Sequence, residues 1–258
     1  MAMYDNDNTV KASFDLNYIS EYLLQAQWAE FIELKKVITE IADRNKRPVT
    51  ILDIGIGNAR IPKHLCGIKD IWDLVAYYDG TDNAMACVEI SENEISNLNI
   101  QDKVAAHFFD ATKLDDWKKK HDMVITTWFT AGNFYPEDFP FDCYKDSVKK
   151  LDLSTNKKFT SIFKNAYGLL NPGGEIVFGA CYIDNDATRK KQEESYLKMG
   201  MKIITDKEDS FTATKEGFWS QRFTKEKLFS YLSFVDPGKI SFTPLDTYNY
   251  SMQVRIRK

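Results

Sequence analysis

Short apolar runs alternate with helical segments through the middle of the chain, and this alternation constrains the fold more than any other feature. Each run has the length and β-branched content of a buried strand and is bounded by glycine, proline or polar residues. The predicted strands occupy residues 49–55, 72–79, 103–109, 121–129 and 175–182. Because strands separated by helices form βαβ units, we predict an α/β fold with a Rossmann-like, doubly wound, mostly parallel sheet.

Three further segments flank this core. Residues 13–46 carry apolar residues at helical spacing and are predicted to form an N-terminal helical cap. Residues 183–222 combine a helical stretch with short strand-like pieces, as an insertion after strand five. Residues 223–258 hold a closing helix and two terminal strands, which brings the expected sheet to seven strands. Since no linker divides the chain, we predict a single domain over residues 1–258 with its binding core at 49–182.

The composition is that of a soluble globular protein. Hydrophobic residues make up 43% and charged residues 28% of the 258 positions. A net charge of −4 gives no basic footprint for nucleic acid. The four cysteines lack the spacing of a zinc site or a disulfide framework, and no run of about 18 apolar residues occurs. We therefore expect a cytoplasmic protein that binds no metal, nucleic acid or membrane, while its oligomeric state stays open.

The sequence "ILDIGIGNAR" at 51–60 indicates what the core binds. Gly55 and Gly57 follow the first strand, where they let the backbone approach a ligand closely. The dinucleotide fingerprint requires Gly or Ala at the position of Arg60, and the charge of Asp53 would oppose a pyrophosphate. An acid at this position suits a cofactor with positive charge. S-adenosylmethionine (SAM) carries a sulfonium and an ammonium group and no phosphate.

Five motifs resemble those of class I SAM-dependent methyltransferases. The first motif of that family is D-x-G-x-G-x-G, and here Ala59 replaces its third glycine. The matching stretches, in order, are "LDIGIGNAR", "VAYYDG", "HFFDATKLD", "HDMVITTWF" and "LLNPGGEIVF". The resemblance covers residues 49–182 and the closing strands. It implies the Rossmann-like fold, SAM as cofactor, S-adenosylhomocysteine (SAH) as product, and methyltransferase activity.

The resemblance also implies cofactor-binding residues. Asp79, taken as the end of the second strand, matches the acid that binds both ribose hydroxyls. Asp110 matches the acid that accepts from the adenine amine, with Ala111 as a backbone donor. The complete predicted cofactor set is Asp53, Gly55, Gly57, Asn58, Arg60, Asp79, Gly80, Thr81, Asp110, Ala111 and Thr127.

The acceptor side is less defined. The N/D-P-P-Y/F tetrapeptide of enzymes that methylate base amines or glutamine amides is absent after strand four. Aromatic side chains there and in the insertion could attract a positively charged group, and arginine could hold a carboxylate. The predicted substrate-binding residues are Trp128, Asn133, Tyr135, Tyr182, Trp219 and Arg222. We predict that the cap and the insertion enclose a small, amine-bearing acceptor.

No catalytic residue is assigned, because methyl transfer by in-line displacement depends mainly on alignment. His64, His107 and His121 are expected to be structural, since none is predicted at the carboxyl end of a strand. Two alternatives stay open. One is an RNA or protein methyltransferase, and the other is a catalytically inactive methyltransferase-like binding subunit.

Overall fold

The computed structural model describes residue 14 and residues 20–137, 139–146 and 151–258. Helices and strands alternate in this part of the chain as the sequence predicts. They are α1 (Glu21–Asn45), β1 (Val49–Ile54), α2 (Arg60–Cys66), α3 (Lys69–Trp72), β2 (Val75–Asp82), α4 (Met85–Asn97), β3 (Val104–Phe108), β4 (His121–Thr126), α5 (Lys157–Leu169), β5 (Leu170–Ile183), α6 (Asp186–Lys198), β6 (Phe211–Ala213), β7 (Trp219–Phe223), α7 (Lys225–Tyr231), β8 (Ile240–Pro244) and β9 (Ser251–Arg257).

The strands form one mixed sheet. Strands β3, β2, β1, β4 and β5 are parallel neighbours in that order. Strand β9 pairs antiparallel with β5 and β8 pairs antiparallel with β9, so the two terminal strands close the sheet as predicted. The expectation of seven strands is exceeded by two, because the insertion adds β7 beside the end of β5 and β6 beside β7. The predicted fold class is confirmed.

Helix α1 is a single helix that covers one face of the sheet. It begins after Ser20, whose side chain accepts a hydrogen bond from the backbone N–H of Leu23, and it ends at Lys46 in the left-handed conformation. Its buried face packs against β1 and β5. Of the predicted cap, residues 13 and 15–19 lie outside the described residues. No helix among the described residues is long and apolar enough to span a membrane.

Two strand boundaries differ from the sequence prediction in ways that affect the site. Strand β4 ends at Thr126, so the residues that follow form a loop rather than more strand. Strand β2 continues to Asp82 and does not end at Asp79. It continues because Gly80 and Thr81 are buried and stay paired with β1, while Asp82 pairs with Phe108 of β3.

Candidate functional site

A cavity of about 860 Å³ lies at the carboxyl ends of the parallel strands. The loops after the first four strands, one side of α1 and the insertion from α6 to β7 line it, together with residues of α2, α4, the start of α5 and the end of β5. Open parallel sheets bind ligands at this edge, and the volume falls within the usual range for small-molecule sites. The cavity is therefore the candidate site.

The loop after β1 has the backbone that its glycines allow. Gly55 and Gly57 have φ angles of +85° and +61°, and Ala59 adopts +56° where the family motif has its third glycine. The N–H groups of Gly55 and Ile56 donate to the carbonyl of Thr81 at 2.7 and 2.9 Å. These bonds tie the loop to the end of β2 and present Gly55 to Asn58 to the cavity.

The acid on the cavity wall at the end of β2 is Asp82, which the sequence analysis did not select. Its carboxylate accepts from the backbone N–H groups of Gly57 at 3.1 Å and Ala84 at 3.0 Å. Burial raises the pKa of Asp82, although these bonds act against the rise. The backbone of Asn83 and the thiol of Cys87 also hydrogen-bond to this carboxylate.

Asp79 was predicted to bind the cofactor, but the structure places it away from the cavity. Asp79 is fully buried within β2 and does not line the cavity. Its carboxylate oxygens lie 2.9 Å from Nε2 of His107 and 3.0 Å from Nζ of Lys119. Burial acts to raise the pKa of Asp79, but these hydrogen bonds lower it below its usual range. The side chain is committed to a structural cluster.

Asp53 and Gly80 also lie behind the cavity wall. The hydroxyl of Tyr78 donates to Oδ2 of Asp53 at 2.6 Å, whereas Oδ1 has no partner although it is buried. Burial raises the pKa of Asp53 to about 7. At Gly80 a Cβ atom would lie 2.1 Å from Cδ1 of Ile56, so this glycine allows the loop to pack onto β2.

Glu30 of α1 connects the two ends of the cavity, and sequence reasoning missed it. Oε2 of this fully buried acid lies 2.5 Å from Arg60, and Oε1 accepts from the backbone N–H of Trp128 at 2.8 Å. The guanidinium of Arg60 lies 5.6 Å from the Trp128 ring centroid. A signal was present, because Glu30 falls on the apolar stripe of α1 between Ala26 and Leu34.

The remaining predicted cofactor residues line the cavity. Asp110 follows β3, and its side chain accepts from the backbone N–H of Thr112 at 2.9 Å. The cavity-lining members of the predicted set are Gly55, Gly57, Asn58, Arg60, Thr81, Asp110, Ala111 and Thr127.

The loop after β4 forms the aromatic wall. Trp128 and Phe129 adopt φ angles of +52° and +62°, a conformation that large side chains rarely take. The Phe129 ring stacks on Tyr182 with 3.8 Å between the ring centroids. Asn133 and Tyr135 also line the cavity, so this loop and the end of β5 supply four of the six predicted substrate residues.

The other two predicted substrate residues differ from each other. Trp219 lines the cavity, but it is only 2% exposed and stacks on Phe211 at 3.8 Å within a buried aromatic cluster. Arg222 is 1% exposed and does not reach the cavity. Its guanidinium donates to Gln192 and Thr212, so the expectation that it holds a substrate carboxylate is wrong.

The three histidines differ in their position relative to the cavity. His107 and His121 lie off the cavity wall. His64 of α2 lines the cavity, contrary to expectation, because α2 turns this residue toward Trp28 and Phe31 of α1. Burial lowers the pKa of His64, and the nearby Arg60 adds to the effect. Among the described residues no group of His, Cys, Asp or Glu is arranged to hold a metal ion.

The sheet order and this cavity define the fold of the class I SAM-dependent methyltransferases. Neither a protein-family model nor a curated protein sequence matches the chain. Among solved structures it is similar to a SAM-dependent methyltransferase from Clostridium acetobutylicum, with 12% identity over 90% of each chain and a TM-score of 0.54. It is also similar to magnesium protoporphyrin IX methyltransferase from Synechocystis with bound SAH, with 11% identity over 93% of this chain and 88% of that one and a TM-score of 0.55. The CcbJ methyltransferase of Streptomyces caelestis gives 12% identity over 90% and 88% of the two chains, with a TM-score of 0.53.

Proposed function

We propose that the protein is a cytoplasmic SAM-dependent methyltransferase that acts on a small molecule enclosed in the cavity. One observation carries the proposal: a single cavity joins the glycine loop and its acids to the aromatic wall after β4. One part can therefore hold a nucleoside while another holds an acceptor. The SAH bound in the structure of the Synechocystis enzyme supports this choice of cofactor.

The end of the cavity at the glycine loop, with Asp82 and Asp110, is called the nucleoside half. Its residues fit SAM. The carboxylate of Asp82, which lines the cavity at the end of β2, suits the ribose hydroxyls, and Asp110 with the Ala111 backbone suits the adenine edge. When bound, SAM supplies an electrophilic methyl group on a sulfonium centre.

The chain's own residues bind, align and exclude water. Trp128, Phe129 and Tyr182 form an apolar wall whose ring faces favour a positively charged or amine-bearing group. Helix α1 and the insertion cover the acceptor end, which limits access by water. Alignment alone can contribute much of the acceleration of such a displacement.

The enclosed cavity favours a small acceptor over the alternatives. The net charge of −4 offers little attraction for the phosphate backbone of RNA. The expected amine-bearing acceptor stays part of the proposal. The four cysteines are free thiols, in keeping with a reducing compartment.

The proposal is tested by incubating the protein with methyl-labelled SAM and separate cell fractions of small metabolites, RNA and protein. We expect label in the metabolite fraction only, and much less of it with the Asp82→Asn variant at the same SAM concentration. Label in RNA or protein without label in any metabolite would overturn the small-molecule assignment. Firm SAM binding without transfer to any fraction would favour the inactive binding subunit.

A further inference from the structure

The charged side chains of the cavity wall are paired or belong to the nucleoside half, with one exception. Arg60 is paired with Glu30, and Lys63 lies 2.7 Å from Glu94. The acids Asp82 and Asp110 are in the half assigned above to SAM. Lys158 is left, because the described residues bring no carboxylate within 4.0 Å of its ammonium group.

Lys158 lies against one predicted substrate residue, which in turn neighbours a second. It is the second residue of α5, and its Nζ atom lies 4.7 Å from the centroid of the Tyr135 ring. The Tyr135 ring lies in turn 6.2 Å from that of Trp219. All three side chains line the cavity. Together they form a compact subsite, the Lys158 subsite, at the acceptor end.

The Lys158 subsite contains a buried donor without a partner. Nε1 of Trp219 is shielded from solvent and makes no hydrogen bond. An indole N–H can only donate, and an ammonium group also only donates. A buried donor without a partner is unfavourable, and the Trp219 residue that carries it borders the cavity. Within the described ranges, the ammonium group of Lys158 is a free donor on this part of the cavity wall, so the subsite suits a ligand oxygen that accepts hydrogen bonds and carries negative charge.

We propose that the acceptor bears a carboxylate that binds at the Lys158 subsite. This inference rests on the proposed function and refines its substrate class to an amine-bearing acceptor with an apolar or aromatic body and one carboxylate. One lysine balances one negative charge, and the N-terminal end of α5 adds partial positive charge beside it. The methylated atom then lies elsewhere on the acceptor, toward the sulfonium. The anionic group expected at Arg222 is held by Lys158 instead.

Three probes of similar size separate the charge states: benzoate, benzamide and benzylamine. Their affinities are measured by calorimetry with SAH present, on wild type, Lys158→Met, Lys158→Arg and Lys157→Met. Lys157 is the matched control, because it is the preceding residue of α5, is exposed, and does not line the cavity. We expect benzoate to bind at least tenfold more tightly than the other two probes. Only Lys158→Met should abolish that preference, and Lys158→Arg should keep most of it.

A second measurement reports on the indole directly. In protein labelled with ¹⁵N at tryptophan, the Nε1 resonance assigned through Trp219→Phe should move downfield with benzoate and stay in place with benzamide. A lysine with a merely structural role would not produce this shift.

Equal affinity for benzoate and benzamide, tighter binding of benzylamine, or an equal loss in Lys157→Met would overturn the proposal. So would failure of benzoate to bind up to its solubility limit, or tighter binding of phenyl phosphate than of benzoate. If SAH itself does not bind, the proposed function fails. The same probe series on the protein alone then still decides whether Lys158 selects a carboxylate.

Discussion

Glu30 accepts a hydrogen bond of 2.8 Å from the backbone N–H of Trp128. Through its other oxygen, Glu30 pairs with Arg60 at the start of α2. One buried acid on α1 thus connects the helix after the glycine loop with the aromatic loop after β4. Trp128 and Phe129 have unusual positive φ angles two and three residues after the end of β4. The hydrogen bond to Glu30 holds the chain at this point.

Removing the charge of Glu30 should destabilise the protein. Glu30→Gln leaves Arg60 unpaired beside the sheet, and we expect the free energy of unfolding in urea to fall by about 3 kcal/mol. The double variant Glu30→Gln/Arg60→Gln should recover part of that loss, because it removes the unpaired cation. Glu33→Gln, on the partly exposed side of α1, should change stability by less than about 0.5 kcal/mol. Equal effects of Glu30→Gln and Glu33→Gln would contradict the role given to Glu30.

Substitutions of the two acids of β2 should have different effects on the affinity for SAH. Asp82→Asn should weaken SAH about 10- to 100-fold, since hydrogen bonds to a charged group contribute about 1.5–3 kcal/mol. Asp79→Asn should leave the affinity within about twofold, because Asp79 faces His107 and Lys119 behind the wall. Calorimetry measures both, with thermal unfolding as a check on the loop that Asp82 supports. The opposite order of effects would restore Asp79 as the ribose acid.

Trp219 should matter for stability as well as for binding. Trp219→Ala removes a ring stacked on Phe211 and packed edge-on against Phe139, so we expect a loss of about 3–5 kcal/mol. Trp28→Ala, at a residue that is 57% exposed, should cost far less. Denaturant unfolding of the two variants provides the comparison. A small loss for Trp219→Ala would show that the insertion packs more loosely than described.

Asp53 should give stability a characteristic pH dependence. Its pKa is about 7 in the folded protein, against about 3.9 in an unfolded chain. Between these values the folded state binds more protons, so the carboxyl's contribution to stability is lost as the pH rises toward about 7. From pH ~5 to pH ~8, the free energy of unfolding of Asp53→Asn should therefore rise relative to wild type. A difference that stays constant with pH would contradict the raised pKa.

The sequence predicted the architecture well because long periodic segments carry it. The parallel strands, α1 and the terminal strand pair follow directly from hydrophobic spacing and turn residues. The hairpin of β6 and β7 was harder to predict from the sequence, since both strands are short. Strand β7 joins the sheet only at the end of β5.

The errors in the site arose from contacts that spacing does not reveal. The apolar run ends at Tyr78, so Asp79 was taken as the end of β2, although main-chain pairing continues to Asp82. Arg222 was read as a substrate ligand, but Gln192 and Thr212, distant in the sequence, surround it. Such side-chain networks depend on tertiary packing, which one sequence does not encode in any local pattern.

We propose that the cavity at the carboxyl ends of the parallel strands binds SAM. Calorimetric titration of the wild-type protein with SAM, SAH and NAD tests it most directly, because the glycine loop and its acids discriminate between these ligands. We expect SAM and SAH each to bind with one molecule per chain and NAD not to bind. Tight binding of NAD with no heat from SAM or SAH would contradict it.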